Sequence, residues 1–416
     1  CKNMIYYYPY PEWFNDRKQP TITPEDTLIL WGAGRIGGVA AHCLKQRGLP
    51  VQAFCDIAKD KWGTTFCGSP VISPEQLKSE YPNAVVLIST VFLEDISERL
   101  IKEGFSRFYD CAWLFMKIDF DGYDFWMEPR YAIRNVEQYL AVIYELETDG
   151  TQVDQVFLNI TTKCTLRCKN CSMFIPYVRT PCNYPSQDIM KDLNSVLEAV
   201  GHIRIVNFYG GEPLLHPDLA AMIRKLHDES RVDRISIITN ATILPSEELV
   251  EALKNESRCL IRISDYGHIS KNLHRLEEIF KTNHIRYEVA NYTYWDRPSK
   301  IAKVSETDEE LRTKFKECTA CNVVFILNRK LTICSTGSAI CNQGVFPPSE
   351  DNYVDLSSDI SQQELSDNII QFFARRRTGD FLDACRYCSG NHCVQFENKV
   401  PVAEQTDQLL SFEKLY

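Results

Sequence analysis

The sequence predicts an α/β chain in three successive parts: a small N-terminal α/β domain, a central array of βα units, and a C-terminal part organised by cysteines. Three observations predict it. A short apolar strand runs directly into a glycine-rich turn and a helix within residues 27–56. From Val156 onward, apolar strand segments alternate with amphipathic helical ones. Ten of the 17 cysteines fall into tight groups at 164–171, 318–341 and 385–393.

Composition bounds the possibilities. The chain has 416 residues, 44% hydrophobic and 25% charged, as ordinary globular proteins do. The longest apolar stretch, around Val85–Leu93, falls far short of the ~20 residues of a membrane span. No charged-then-apolar N-terminal pattern is present, so a cytoplasmic location without membrane partners is expected. Lys and Arg number 46 against 56 Asp and Glu, a net charge of −10, whereas a nucleic-acid partner calls for a basic footprint. Without a secretory signal, grouped cysteines read as metal ligation more readily than as disulfides.

Residues 1–26 are rich in Pro and Tyr without a sustained period and read as an irregular arm. Residues 27–115 read as a domain. Thr27–Trp31 is a strand, followed by Gly32-Ala-Gly34-Arg-Ile-Gly37, a helix carrying Val39, Ala40, Cys43 and Leu44, and a strand Val51–Cys55 ending at Asp56. Glycines at 32, 34 and 37 allow a tight turn and close approach of a phosphate to the helix N-terminus. Asp56 stands where such folds place a ribose-binding acid. The alternative is a domain that has kept the turn without its ligand. The segment Lys61–Pro74 (KWGTTFCGSPVISP) resembles the nucleotide-binding N-terminal domain of sugar-modifying acyltransferases and related polysaccharide enzymes. That resemblance implies a Rossmann-like fold and a nucleotide or nucleotide-sugar handle.

Residues 116–153 read as a linker with a helix at about Tyr131–Glu147 and a turn at Asp149-Gly150. Residues 154–315 hold strands at Val156–Ile160, Ile203–Phe208, Ile235–Thr239, Leu260–Ser264 and Ile285–Val289, with helices near 187–200, 217–228, 246–255 and 270–283. Repeated βα units predict a parallel sheet, open or curled into a partial barrel.

The first of these strands leads into Cys164-Thr-Leu-Arg-Cys168-Lys-Asn-Cys171. Three thiolates from one loop leave one iron of a 4Fe-4S cube open, whereas four would close it. Zinc is the weaker reading, because no nearby His stands in register as a fourth ligand. The C-x3-C-x2-C spacing resembles the radical SAM superfamily. Tyr209-Gly210-Gly211-Glu212-Pro213 resembles that family's GGE motif at the SAM amino group. Thr239-Asn240-Ala241-Thr242 resembles its TNG segment, with Ala in place of Gly. Arg262 and Ser264 end the fourth strand, where polar groups face SAM. Asn170 departs from the aromatic that many members carry there. The resemblance implies a partial (β/α)6 barrel, a SAM-binding 4Fe-4S cluster at Cys164, Cys168 and Cys171, and reductive cleavage of S-adenosyl-L-methionine to a 5′-deoxyadenosyl radical that abstracts hydrogen. A low-potential donor such as flavodoxin or ferredoxin is the implied partner.

Residues 316–416 carry Cys318 and Cys321, a hairpin at Val323–Leu327 and Leu331–Cys334, then Cys385, Cys388 and Cys393. This resembles the Twitch or shortened SPASM extension. It implies one auxiliary 4Fe-4S cluster on Cys334, Cys385 and Cys388, with Cys318 or Cys321 as the fourth ligand. Zinc on four of these thiolates is the alternative, and Arg329 stands where the pattern has Gly. Cys182, Cys259, Cys341 and Cys393 are candidate hydrogen donors that ordinarily would be structural. Arg375-Arg-Arg377, His216, His268 and the loop Trp295-Asp296-Arg297 are weaker candidates, each with an ordinary reading as solvated surface or loop.

Together these features predict an enzyme acting on a small-molecule or nucleotide-sugar substrate, by oxidation or epimerisation. The rivals are a peptide-modifying maturase of the same superfamily and a non-catalytic iron–sulfur redox or binding protein.

Overall fold

Apolar runs of four or five residues become the central strands of the N-terminal part. In chain order its strands are β1 (Ile5–Tyr7), β2 (Leu28–Trp31), β3 (Val51–Cys55), β4 (Thr65–Phe66), β5 (Ser69–Ile72), β6 (Val85–Ile88), β7 (Phe108–Asp110) and β8 (Lys117–Asp119). Its helices are α1 (Arg35–Gln46), α2 (Pro74–Glu80), α3 (Leu93–Glu103) and α4 (Pro129–Glu147). The computed structural model describes residues 5–8, 20–124, 129–147, 152–292, 294–296, 301–318, 323–344, 349–390 and 399–412. It divides into two units, Cys1–Glu147 and Thr148–Tyr416.

In the N-terminal unit six strands form a sheet in the order β4-β5-β3-β2-β6-β7, parallel except for β4. Every residue of β2 and β6 is buried, as a parallel sheet covered on both faces requires. Strand order reverses at β2, with β3 on one side and β6 on the other, which is where folds of this type open a crevice.

Two sequence expectations change here. The arm is not irregular throughout: β1 pairs antiparallel with β8, and Tyr8 is buried. A three-residue strand is too short to show a period, so composition alone concealed it. The linker helix is part of the N-terminal core. Ala132, Val136, Tyr139, Leu140 and Ile143 of α4, spaced as one helical face, are all buried. The Tyr139 hydroxyl donates to the Ile88 carbonyl at 2.6 Å and accepts from the Cys111 N–H at 2.8 Å.

The C-terminal unit contains β9 (Gln152–Thr161), β10 (His202–Gly210), β11 (Val232–Thr239), β12 (Cys259–Asp265), β13 (Tyr287–Asn291), β14 (Tyr294–Asp296), β15 (Val324–Leu327), β16 (Lys330–Thr332), β17 (Val354–Asp355) and β18 (Lys399–Pro401). Helices α5 (Ser186–Val200), α6 (Leu219–Leu226), α7 (Glu247–Lys254) and α8 (Leu273–Thr282) follow successive strands; α9 (Asp308–Glu317), α10 (Ser335–Asn342) and α11 (Gln362–Thr378) come after. The sheet order is β13-β12-β11-β10-β9-β15-β16-β17. Strands β9 to β13 are parallel in chain order, and the sixth parallel strand, β15, joins the β9 edge rather than following β13. That strand is the first half of the predicted C-terminal hairpin, so the cysteine-rich part grows from the central sheet. One sheet face, with Val156, Leu158, Val206, Phe208, Ile235, Ile237 and Ile261, belongs to the same buried cluster as the apolar stripes of α5 to α8.

The hairpin turn has Asn328 at φ 50° and Arg329 at φ 62°, the left-handed pair that a two-residue hairpin loop needs. Arg329 tolerates this because its guanidinium is anchored. It donates to Asp192 at 2.8 Å and Asp188 at 3.0 Å of α5, and to the Leu356 carbonyl at 3.2 Å. Burial pushes the Asp192 carboxyl up to about 6 against the pull of Arg329.

Tyr139→Phe should cost about 1–3 kcal/mol, because it leaves two buried backbone groups of the N-terminal unit without their partner. A denaturant titration of the full chain reads this as a lower midpoint for the transition that reports that unit.

Candidate active site

Strand β9 ends at Thr161, and the chain turns at once into the cysteine loop. Its course is fixed by the end of β10, which lies flat against it. The Gly211 N–H donates to the Thr161 carbonyl at 2.8 Å and the Glu212 N–H to the Lys163 carbonyl at 2.9 Å. A Cβ on Gly210 would stand 2.3 Å from the Thr161 oxygen, and one on Gly211 2.1 Å from the Lys163 oxygen and 3.1 Å from Cys164 Cβ. Gly210 also holds φ 135°, a conformation open to glycine. The two glycines are therefore required by contact with the cysteine loop itself.

Glu212 is fully buried, accepting from the Leu214 N–H at 3.2 Å and the Asn240 N–H at 2.9 Å. Its carboxylate thus joins the ends of β10 and β11. Burial raises it to about 7, against the hydrogen bonds from Asn240, Thr239 and Leu214. Pro213 follows in the first turn of the short 3-10 segment Pro213–Leu215.

Asn240 continues this chain of contacts. Its amide nitrogen lies 3.7 Å from Cys164 Sγ and 3.3 Å from Thr165 Oγ1, while its oxygen accepts from the Thr242 N–H and hydroxyl. Ala241, which replaces the Gly of the TNG pattern, sits at φ 58° and is buried. Ser264 is buried at the end of β12. Arg262 forms an ion pair with Glu288 at 2.5 Å, which holds its head over β13.

The three thiols of the loop sense one another electrostatically. Burial pushes Cys164 up to about 12 and Cys168 to about 11, and raises Cys171 too. Cys164 Sγ accepts from the Leu166 N–H at 3.4 Å and Cys168 Sγ from the Gln405 amide at 3.2 Å. Thiols this buried ionise only beside a cation, so metal loading would release protons. Three thiols on one short loop, with N–H donors directed at two of the sulfurs, fit a 4Fe-4S cluster that would leave one iron open to SAM.

A second group of thiols forms in the C-terminal part. Burial raises Cys334, and Cys318, Cys388 and Cys385 in its surroundings add to the rise; burial likewise pushes Cys385 up to about 12, with Cys388 and Cys318 adding to it. Cys334 Sγ accepts from the Gly337 N–H at 3.2 Å and Cys388 Sγ from the Gly390 N–H at 3.4 Å. Lys314, 11% exposed, donates to the Cys385 and Cys388 carbonyls and pairs with Glu306 at 3.0 Å. Cys318 is thus the described fourth member; Cys321 and Cys393 lie outside the described residues. Among the described residues no three His, Cys, Asp or Glu side chains converge at single-ion spacing.

The sheet face opposite the α5–α8 core is polar where it nears the loop. Asn207 pairs in register with Phe157 and Ser236, and Tyr209 with Asn159. Both amide atoms of Asn159, Asn207 Oδ1 and Ser236 Oγ are buried without a hydrogen-bond partner among the described residues. Phe157, Tyr209 and Phe325 cluster beside them, and the Tyr209 hydroxyl lies 3.3 Å from Ser172 Oγ, next to Cys171. Alternation of the strands places these residues on one face; apart from Tyr209, named only as part of its motif, sequence reasoning passed over them because they look like ordinary strand positions.

The minor candidates resolve differently. His216 Nδ1 accepts from the Asp218 N–H at the start of α6 and Nε2 meets the Tyr184 carbonyl at 2.8 Å in the loop before α5, so both ring nitrogens hold loop backbone. His268 is exposed on the 3-10 segment Gly267–Ile269. Arg375 is engaged by Asp351; the side chains of Arg376 and Arg377, and all of Arg297, lie outside the described residues. Trp295 is in strand β14, paired with β18, rather than in a loop.

In the N-terminal unit, Asp56 accepts from the Ala33 N–H, the Ala58 N–H and Lys61 Nζ, each at 2.9 Å. The acid expected at a ribose is thus tied to the glycine-rich turn. Gly32 has φ 117°, a Cβ on Gly37 would meet the Gly32 oxygen at 2.1 Å, and Gly34 has open space around it.

Two outcomes follow. Gly211→Ala should abolish iron retention by the Cys164 loop, read by iron content after anaerobic reconstitution, since its Cβ cannot coexist with the Lys163 carbonyl. Glu212 ionises near 4.5 when unfolded but near 7 when folded, so the unfolded state sheds its proton first and stability falls as pH rises from 4.5 to 7. Denaturation of cluster-free protein across that window should show this decline, on the order of 3 kcal/mol, and Glu212→Gln should remove it.

Residues 158–264 match the radical SAM superfamily model, and residues 25–108 the "C2185-like, N-terminal" family. A GTP 3′,8-cyclase of Chlorobaculum tepidum is 33% identical over 107 residues, covering 25% of this chain and 31% of the relative. An S-adenosylmethionine-dependent nucleotide dehydratase of Selenomonas ruminantium is 32% identical over 96 residues, covering 23% of this chain and 33% of the relative. The chain thus spans about a third of these relatives' length. Among solved structures, Streptococcus suis SuiB bound to precursor peptide SuiA aligns with a TM-score of 0.34 and 16% identity, over 61% of this chain and 73% of that one. Among the described residues no helix is long and apolar enough to cross a membrane. Residues 158–264 are a radical SAM domain.

Proposed function

We propose that this radical SAM enzyme abstracts hydrogen from a small polar substrate, a nucleotide-linked sugar by class, with oxidation or epimerisation as the net outcome. The observation that carries the polar substrate class is the set of buried, unpartnered atoms beside the cysteine loop: both amide atoms of Asn159, Asn207 Oδ1 and Ser236 Oγ. Buried amides and hydroxyls without partners cost free energy unless a ligand satisfies them. The cyclase and dehydratase relatives act, by their names, on nucleotides, which supports the nucleotide part. So does the first turn of α1, where Gly34 is open, no side chain caps the helix and Arg35 Nη2 is buried without a partner. Helix N–H groups and a guanidinium suit a phosphate. With Asp56 already engaged, a nucleotide there would be held through its phosphates rather than its ribose.

Cys164, Cys168 and Cys171 would hold the SAM-binding cluster, with Gly210, Gly211, Glu212, Pro213, Asn240, Arg262 and Ser264 around SAM. Cys318, Cys334, Cys385 and Cys388 would hold the auxiliary one. When bound, cluster and SAM supply the reductive radical chemistry, with a flavodoxin or ferredoxin as electron source. The chain's residues do the rest. Asn240 steadies the Cys164 side of the loop, Phe157, Tyr209 and Phe325 keep water from the reacting face, and the orphan amides orient the substrate.

Reconstituted full-length protein, reduced anaerobically, should form 5′-deoxyadenosine from SAM. Alanine at Cys164, Cys168 and Cys171 should abolish this, whereas alanine at Cys334 and Cys385 should impair product formation more than SAM cleavage. Absence of 5′-deoxyadenosine from cluster-loaded protein sinks the enzymatic reading. In deuterated solvent with nucleotide sugars, solvent label in the product indicates epimerisation and a keto product oxidation. Cleavage of SAM with neither product overturns the substrate class.

A further inference from the structure

The segment after the last cysteine returns to the first cysteine loop and brackets it. Strand β18 pairs with β14. Beyond it, Gln405 forms an antiparallel bridge with Cys168. The Lys169 N–H donates to the Glu404 carbonyl at 2.8 Å and the Thr406 N–H to the Arg167 carbonyl at 2.9 Å. Lys169 pairs with Glu404 at 2.6 Å. Further on, the Leu410 N–H reaches the Pro176 carbonyl at 3.0 Å, and Phe412 stacks on Tyr177 with ring centroids 4.0 Å apart.

The Gln405 side chain has one orientation that satisfies its surroundings. Its oxygen accepts from the Arg167 N–H at 2.8 Å, a group that can only donate. The nitrogen must therefore face the other way, where it lies 3.2 Å from Cys168 Sγ and 2.6 Å from the Ala403 carbonyl. The backbone of the loop thus fixes an amide N–H onto the sulfur of its own middle cysteine.

We propose that Gln405 is a positioning residue that sets the reduction potential of the cluster on Cys164, Cys168 and Cys171, and that the C-terminal strap exists to hold it there. This rests on the assignment of a cluster to those three cysteines. Hydrogen bonds to ligand sulfurs withdraw electron density and favour the reduced state. Losing the Gln405 donor makes the cluster harder to reduce.

Two variants separate tuning from strapping. Gln405→Leu removes both the donor to Cys168 and the acceptor for Arg167. Gln405→Glu keeps the acceptor and replaces the donor with a carboxylate oxygen. The readouts are an EPR-monitored redox titration of reconstituted full-length protein, following the signal that a Cys164→Ser/Cys168→Ser/Cys171→Ser variant lacks, and amide hydrogen exchange at Arg167 in cluster-free protein. The expected result is a more negative midpoint in both variants, with exchange at Arg167 faster only in Gln405→Leu. A wild-type midpoint in Gln405→Glu overturns the tuning role and leaves a strap alone. Unchanged Arg167 exchange in Gln405→Leu overturns the geometry itself. Wild-type protein without any signal dependent on the three cysteines overturns the cluster assignment, and the tuning role with it.

Discussion

The site rests on one close contact between backbones: the turn at 210–212 against the segment 161–164. Two hydrogen bonds across it, from Gly211 and Glu212, fix where β9 ends and where Cys164 begins. No side chain fits between the two segments, so the contact excludes every residue but glycine at two consecutive positions. Glu212 then carries the constraint to β11 through its buried carboxylate, and Asn240 returns it to Cys164. The loop that bears three thiols is therefore held from behind by strand ends that are themselves rigid.

Burial raises Cys164, Cys168, Cys334 and Cys385 well above an ordinary thiol, so these side chains are neutral unless a metal pays the cost of ionising them. Backbone N–H donors point at sulfur in both groups, joined at Cys168 by the side-chain amide of Gln405. The two groups differ in number and setting. One offers three thiols from a single loop; the other gathers thiols from the end of α9, the start of α10 and the 3-10 segment Asp383–Tyr387, with Lys314 over the carbonyls.

Much of this was legible in the sequence. Alternating strand and helix periods located β9 to β13, and cysteine spacing put Cys164, Cys168 and Cys171 on the one loop after β9, because covalent order dictates those patterns. The Gly210-Gly211-Glu212 run was legible as a motif, but not that Glu212 would be buried between strand ends. Asp56 fitted a ribose-binding pattern, yet its partner Lys61 lies five residues on and claims it first. What the sequence concealed depended on distant pairing: β1 on β8, β15 on the β9 edge, and Gln405 on Cys168 across 237 positions. Arg329 broke the expected glycine pattern, and the carboxylates of α5 with the Leu356 carbonyl explain how the turn tolerates it.

The central proposal is that the chain would hold two iron–sulfur clusters, one on three thiols and one on four. Iron and sulfide content after anaerobic reconstitution tests it most directly. Wild type should hold about eight irons per chain, and losing either Cys164, Cys168 and Cys171 or Cys318, Cys334, Cys385 and Cys388 should halve that content while sparing the other site. A wild-type content of about four irons, or stoichiometric zinc at the second group, would contradict the account.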